Sequence, residues 1–185
     1  MHAAMCAAGP AAAQAAYTAC AISATRVYST DRLPQRPSVR VVSTPQGDRS
    51  VTILDGYRVL YYVPPNNPLL NVKAEMLADS TYGTDKLALT DNLLLLASQD
   101  HAIQKVEPYR SGSINVFMVS RSNLEGGTLA IAELFDDSRH RVTTIYFLND
   151  EPARRHFQTM TEFASLRDRV ITEFTQCLAQ QHEQR

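Results

Sequence analysis

The residues able to do chemistry in this chain are few, and most stand alone. Of five histidines, His2 and His182 fall near the termini, leaving His101, His140 and His156 for the folded part. His140 follows Asp136, Asp137 and Arg139, and a carboxylate beside an imidazole can raise its pKa or hold one tautomer for base catalysis. The plainer reading is a loop tip kept in water by its charges. His101 with Ser111 or Ser113 makes a hydrolytic pair on paper, although no spacing fixes their geometry.

The cysteines are Cys6, Cys20 and Cys177. With no CxxC pair, zinc binding and dithiol exchange have no foothold, and no disulfide framework is expected. Cys177 lies beside Phe174 and Leu178 on an apolar stripe and reads as a free thiol packed in the core. No GxSxG elbow, GxxxxGK[ST] loop, GxGxxG fingerprint, HExxH pair or EF-hand loop occurs. No catalytic residue, cofactor or metal ligand is therefore assigned, and the expectation is a protein that is not an enzyme.

A binding surface is better represented. Tyr61 and Tyr62 are adjacent in a predicted strand, so they point to opposite faces. One can pack inside while the other is presented beside the stiff Pro64-Pro65-Asn66-Asn67-Pro68 segment. A tyrosine held on such a loop loses little entropy on binding, the profile of an interface anchor. Tyr61, Tyr62, Asn66 and Asn67, with Asp136, Asp137, Arg139 and His140, are the candidate partner-binding residues. Against this stands the ordinary use of tyrosine as a strand former.

These residues need elements to hold them. Ser38 to Thr44 reads as a strand, Pro45 to Asp48 as a turn, and Arg49 to Leu54 as the returning strand. Asp55-Gly56 is a hairpin signal leading into a third strand, Tyr57 to Val63. Leu69, Val72 and Met76 sit at helical spacing and predict a helix over Leu69 to Ala78. Ser80 to Asp85 reads as a loop, and Leu87 to Ile103 as a helix capped at Thr90 or Asp91, with two short strands as the alternative.

Strands follow at Ser113 to Ser120, Thr128 to Phe135 and Arg141 to Leu148. Asp150 and Pro152 suit the start of a short helix carrying Arg154-Arg155-His156 on its wet face. Thr159 and Glu162 have capping-box spacing, and Phe163, Leu166, Val170, Phe174 and Leu178 recur on one helical stripe. The expected fold is α+β, a mostly antiparallel sheet with helices packed on one face and a long C-terminal helix.

Length and charge narrow the class. The 185 residues suit one domain with a tail, and 18 lysines and arginines against 19 acids give a net charge of −1. Without a basic excess or stripe, nucleic acid is not expected as the partner. Residues 1–22 are Ala-rich and uncharged, and read as a leader or signal segment; 23–37, with Pro34 and Pro37, as a linker; and 38–185 as the single domain.

Ala11-Ala12-Ala13 and Ala19-Cys20-Ala21 offer small-residue cleavage sites for export. Tyr17-Thr18-Ala19-Cys20 resembles a bacterial lipobox, in which Cys20 is acylated and becomes the first mature residue. Arg26-Val27-Tyr28-Ser29 resembles a mitochondrial processing site, and a leader with no targeting role is the bland alternative. On the leader, Tyr17 to Cys20 and the order of elements, the chain resembles small periplasmic lipoproteins of Gram-negative bacteria, of the inhibitor or immunity type.

The resemblance implies an exported protein, periplasmic or anchored to the outer membrane through lipid on Cys20, that occludes a protein partner such as a toxin or hydrolase. The alternatives are an accessory or assembly subunit of an envelope or mitochondrial complex, and a hydrolase using His101 or His140.

Overall fold

A computed structural model describes Ile22 and residues 33–63, 67–149 and 155–183. Within them the chain runs β1 (Leu33–Gln35), β2 (Ser38–Thr44), β3 (Gly47–Val63), β4 (Asn67–Leu77), α1 (Tyr82–Gln99), β5 (Ile103–Ser111), β6 (Ile114–Arg121), β7 (Thr128–Asp136), β8 (Arg141–Leu148) and α2 (Met160–Glu183). The strands form one curled antiparallel sheet in the order β1-β3-β4-β8-β7-β6-β5, with β2 also paired to β3. The class is α+β with the long helix at the C-terminal end.

The first half of the chain departs from its periodicity. Asn67–Leu77 is a strand, not a helix, because the sequence also alternates: Leu70, Val72 and Ala74 face one way, Asn71, Lys73 and Glu75 the other. Alternation of period two wins because β3 lies on one side of this segment and β8 on the other. Asp55-Gly56 is likewise no hairpin turn. β3 runs straight through it with a register shift between Ile53 and Asp55, where the Gly56 amide donates to Asp55 Oδ1 at 2.8 Å. The backbones close tightly here: a Cβ on Gly56 would lie 2.7 Å from the Ala74 carbonyl oxygen.

The true turn is Pro45-Gln46, where Gly47 adopts φ +104° and Thr44 Oγ1 donates to its carbonyl at 2.7 Å. α1 starts earlier than Thr90, at Tyr82, with Thr81 Oγ1 donating to Asp85 Oδ2 at 2.7 Å. β5, between Ile103 and Ser111, carried no predicted element. β1 lies inside the stretch read as a linker, and Ile22 is buried in the main core.

The two helices cover opposite faces, not one. On β7, Leu134 packs with the α2 side and its neighbour Phe135 with the α1 side, which requires an apolar residue at each. The α2 face is the larger core, built on Val72, Leu134, Ile145 and Phe147 against Phe163, Val170, Ile171 and Phe174. Burying each of these helix side chains contributes roughly 2 kcal/mol. The predicted capping box closes: Thr159 Oγ1 accepts from the Glu162 amide, and Glu162 Oε2 accepts from the Thr159 amide, each at 3.2 Å.

Cys177 is half-buried on α2 and disulfide-bonded, correcting the expectation of a free core thiol. The other cysteines, Cys6 and Cys20, lie outside the described residues, as do Asn66, Asp150, Pro152 and Arg154. Among the described residues no helix is long and apolar enough to cross a membrane.

Candidate functional site

The face of the sheet toward α1 is only half apolar. Near α1 it carries Leu77, Val142, Phe135 and Phe117, packed with Tyr82, Ala88 and Leu89. Further along the same strands it turns polar. Arg58 on β3 is directly opposite Lys73 on β4, Lys73 opposite Thr144 on β8, and Thr144 opposite Glu133 on β7. Four polar side chains thus form one row across four strands, about 5 Å from strand to strand. The next row out is Leu60, Asn71, Tyr146 and Ile131. The next row in starts with Gly56 and Glu75.

Arg40 on β2 completes the group. Its Nη1 and Nη2 donate to Glu75 Oε1 and Oε2 at 2.9 and 3.0 Å, a two-pronged ion pair. The Glu75 side chain is 1% exposed and that of Arg40 29%, so the pair lies at the boundary of the interior. Arg58 Nε donates to Asn71 Oδ1 at 2.7 Å, and the Lys73 ammonium lies 5.1 Å from the centre of the Tyr146 ring. Neither Arg58 nor Lys73 forms an ion pair among the described residues.

Glu133 is the anomaly. It is buried, and its Oε2 has no hydrogen-bond partner among the described residues. Burial pushes its carboxyl up from 4.5 to about 8, despite the opposing pull of Arg40, so it holds a proton at neutral pH. Burial also lowers Lys73, helped by the positive charge of Arg40, and raises Tyr146. Shifted acids and bases grouped on one face mark candidate functional sites. The group offers donors from Arg58, Lys73, Tyr146 and Glu133, over an aliphatic rim of Leu60 and Ile131.

The residues singled out from sequence fall elsewhere. Tyr61 is buried in the α2-side core, edge-on to Phe174 at 6.2 Å, and Tyr62 and Asn67 are half-buried where β3 meets β4. The Asp136 to His140 loop lies at the other end of β4, beside Met76 and Leu77. Roughly 30 Å of strand separates the two patches, so they do not form one surface.

That loop is locked to α1. Asp136 is buried and accepts from Ser138 Oγ at 2.6 Å and from Arg139 Nη1 at 3.5 Å. Asp137 accepts from Tyr82 Oη, Lys86 Nζ and Asn115 Nδ2 at 2.6, 2.7 and 2.6 Å. Burial pushes the Asp137 carboxyl up, but the bonds from Lys86 and Tyr82 prevail and hold it low. His140 stacks on Tyr82 at 4.5 Å and its Nδ1 lies 2.6 Å from Asp79 Oδ1. These contacts pin a hairpin to the first turn of a helix.

The drawn hydrolytic pair does not assemble. His101 precedes β5 and Ser111 ends it, about 30 Å apart along an extended strand, with Ser113 just beyond. His156 donates from Nε2 to the Pro68 carbonyl at 2.8 Å and braces the β3–β4 end. Among the described residues no group of three His, Cys, Asp or Glu side chains is placed to hold a metal ion.

Sequence reasoning missed the inner polar row, although a signal was present. Asn71, Lys73 and Glu75 recur every second residue, and Glu133 interrupts the apolar run Leu129 to Phe135 at an inward register. No family model, curated protein or solved structure matches the chain.

Proposed function

We propose that this chain is a non-enzymatic, exported binding protein whose recognition surface is the polar inner face of its curled sheet. The observation that carries the reading is Glu133, a buried carboxyl with an unpartnered oxygen at the end of the Arg58–Lys73–Thr144 row. Native proteins rarely leave a buried polar atom unsatisfied, and each exception calls for a reason; a ligand group is one. The half-buried Arg58, Asn71, Lys73 and Tyr146 leave the row within reach of solvent.

Binding is favoured over turnover because the group contains no Ser, Cys or His nucleophile, and no side chain orients Glu133 as a base. A partner-occluding surface would have to use one end of β4 at a time. Export is supported by the Cys177 disulfide, since such bonds persist mainly in oxidising compartments.

The test is equilibrium dialysis of the purified full chain against a small-molecule extract, with mass spectrometry of what it retains. Compounds retained by the wild type and lost on Asn71→Leu and Tyr146→Leu are expected. Retention unchanged by both substitutions removes the inner face as the surface. Chemical conversion of a retained compound replaces the binding reading with an enzymatic one.

A further inference from the structure

The inner face carries an arrangement that the fold does not need. Arg58 and Lys73 are directly opposed residues of neighbouring strands, both cationic and both without an ion pair among the described residues. Like charges facing each other across a strand pair are destabilising. Arg40 adds a third cation nearby, and the other carboxylate of the group, Glu75, is already held by both its oxygens. Three cations thus face one committed anion, half-withdrawn from water where charge is poorly screened. Glu133 points an unsatisfied carboxyl oxygen into the same row and supplies no compensating charge at neutral pH.

We propose that the ligand is a small molecule bearing a carboxylate or phosphate headgroup, which lodges between Arg58 and Lys73 and extends along the row toward Thr144 and Glu133. The proposal rests on the inner-face reading above and names its ligand class. An oxyanion supplies the missing negative charge, and a guanidinium fork matches the oxygens of either headgroup. The Thr144 hydroxyl and the protonated Glu133 carboxyl are donors further along the row, available to a polar group on the ligand's body. Tyr146 and the rim of Leu60 and Ile131 suit a short organic body.

The charges acting on Glu133 are Arg40 from β2 and Glu75 from β4, with Tyr146 from β8 beside it; Lys73 and Arg58 stand two and three strands away in the same row. Lys86 from α1 lies over the rings of Phe117 and Phe135 beside it. Deprotonation of Glu133 places a negative charge in the row and weakens the binding of an anion.

The experiment is calorimetric and thermal-shift titration of the full chain with acetate, succinate and inorganic phosphate at matched ionic strength, with chloride as the control. Saturable binding of at least one oxyanion is expected, weakened roughly tenfold or more by Arg58→Gln and by Lys73→Met. Preference for succinate or for phosphate identifies the headgroup. Wild-type binding weakens as pH rises past about 8, and Glu133→Gln, which keeps a donor without the charge, flattens that dependence.

Unliganded Lys73→Met is expected to melt at or above the wild-type temperature, because it removes the like-charge pair. A lowered melting temperature assigns Lys73 a structural role and overturns the proposal. Equal shifts from chloride and the oxyanions overturn it too. If dialysis instead retains neutral compounds that depend on Asn71 and Tyr146 but not on Arg58 and Lys73, the inner face stands and the anionic class falls.

Discussion

Glu133 couples the stability of this protein to pH in a sense opposite to most carboxylates. Its folded value, about 8, lies above its ordinary 4.5. Between these limits the folded chain holds a proton that the unfolded chain has released. Its contribution is therefore whole below about pH 4.5, declines as pH rises, and is lost above about 8. The shift corresponds to about 5 kcal/mol. Urea unfolding at pH 5 and pH 9 is expected to show the wild type losing stability relative to Glu133→Gln, and parallel curves would contradict the buried, protonated state. Arg40 acts in the other direction. Arg40→Ala strands the Glu75 charge in the interior and is expected to cost about 3 kcal/mol, much of it recovered in the Arg40→Ala, Glu75→Gln double variant. Equilibrium unfolding of the three variants measures both.

At the scale of elements, the sheet depends on a few places where backbones approach closely. Gly56→Ala pushes a methyl against the Ala74 carbonyl and the Glu75 side chain, 2.7 and 3.3 Å away, and is expected to lose about 2 kcal/mol in urea unfolding. Phe174→Ala empties the buried stripe of α2 beneath Tyr61 and should lose roughly 3 to 5 kcal/mol in the same assay. What the sequence disclosed divides along these lines. β2, β6, β7, β8 and the α2 capping box were legible because their patterns are local and unambiguous. β4 was not, since Leu69, Val72 and Met76 fit a helix while Leu70, Val72 and Ala74 fit a strand, and only pairing with β3 and β8 decides. The site was lost with it: while 69–78 reads as a helix, Asn71, Lys73 and Glu75 do not share a face. Arg40 and Glu75 are 35 residues apart, beyond any local pattern.

For the whole molecule, the Cys177 disulfide is expected to contribute about 2 to 5 kcal/mol by restricting the unfolded chain. Reductant and Cys177→Ser should lower the urea midpoint equally, and peptide mapping without reductant names the partner. The sheet order carries a consequence for synthesis. β4 and β8 are neighbours at the centre of the sheet, yet β8 is completed about 70 residues after β4. At ribosomal speeds of about 5–20 residues per second, the nascent chain presents an unpaired β4 edge for roughly 4 to 14 seconds. During that window Leu70 and Val72 lack their cover, so a chaperone that binds extended apolar segments meets its target in the first half of the chain, and release has to await Leu148.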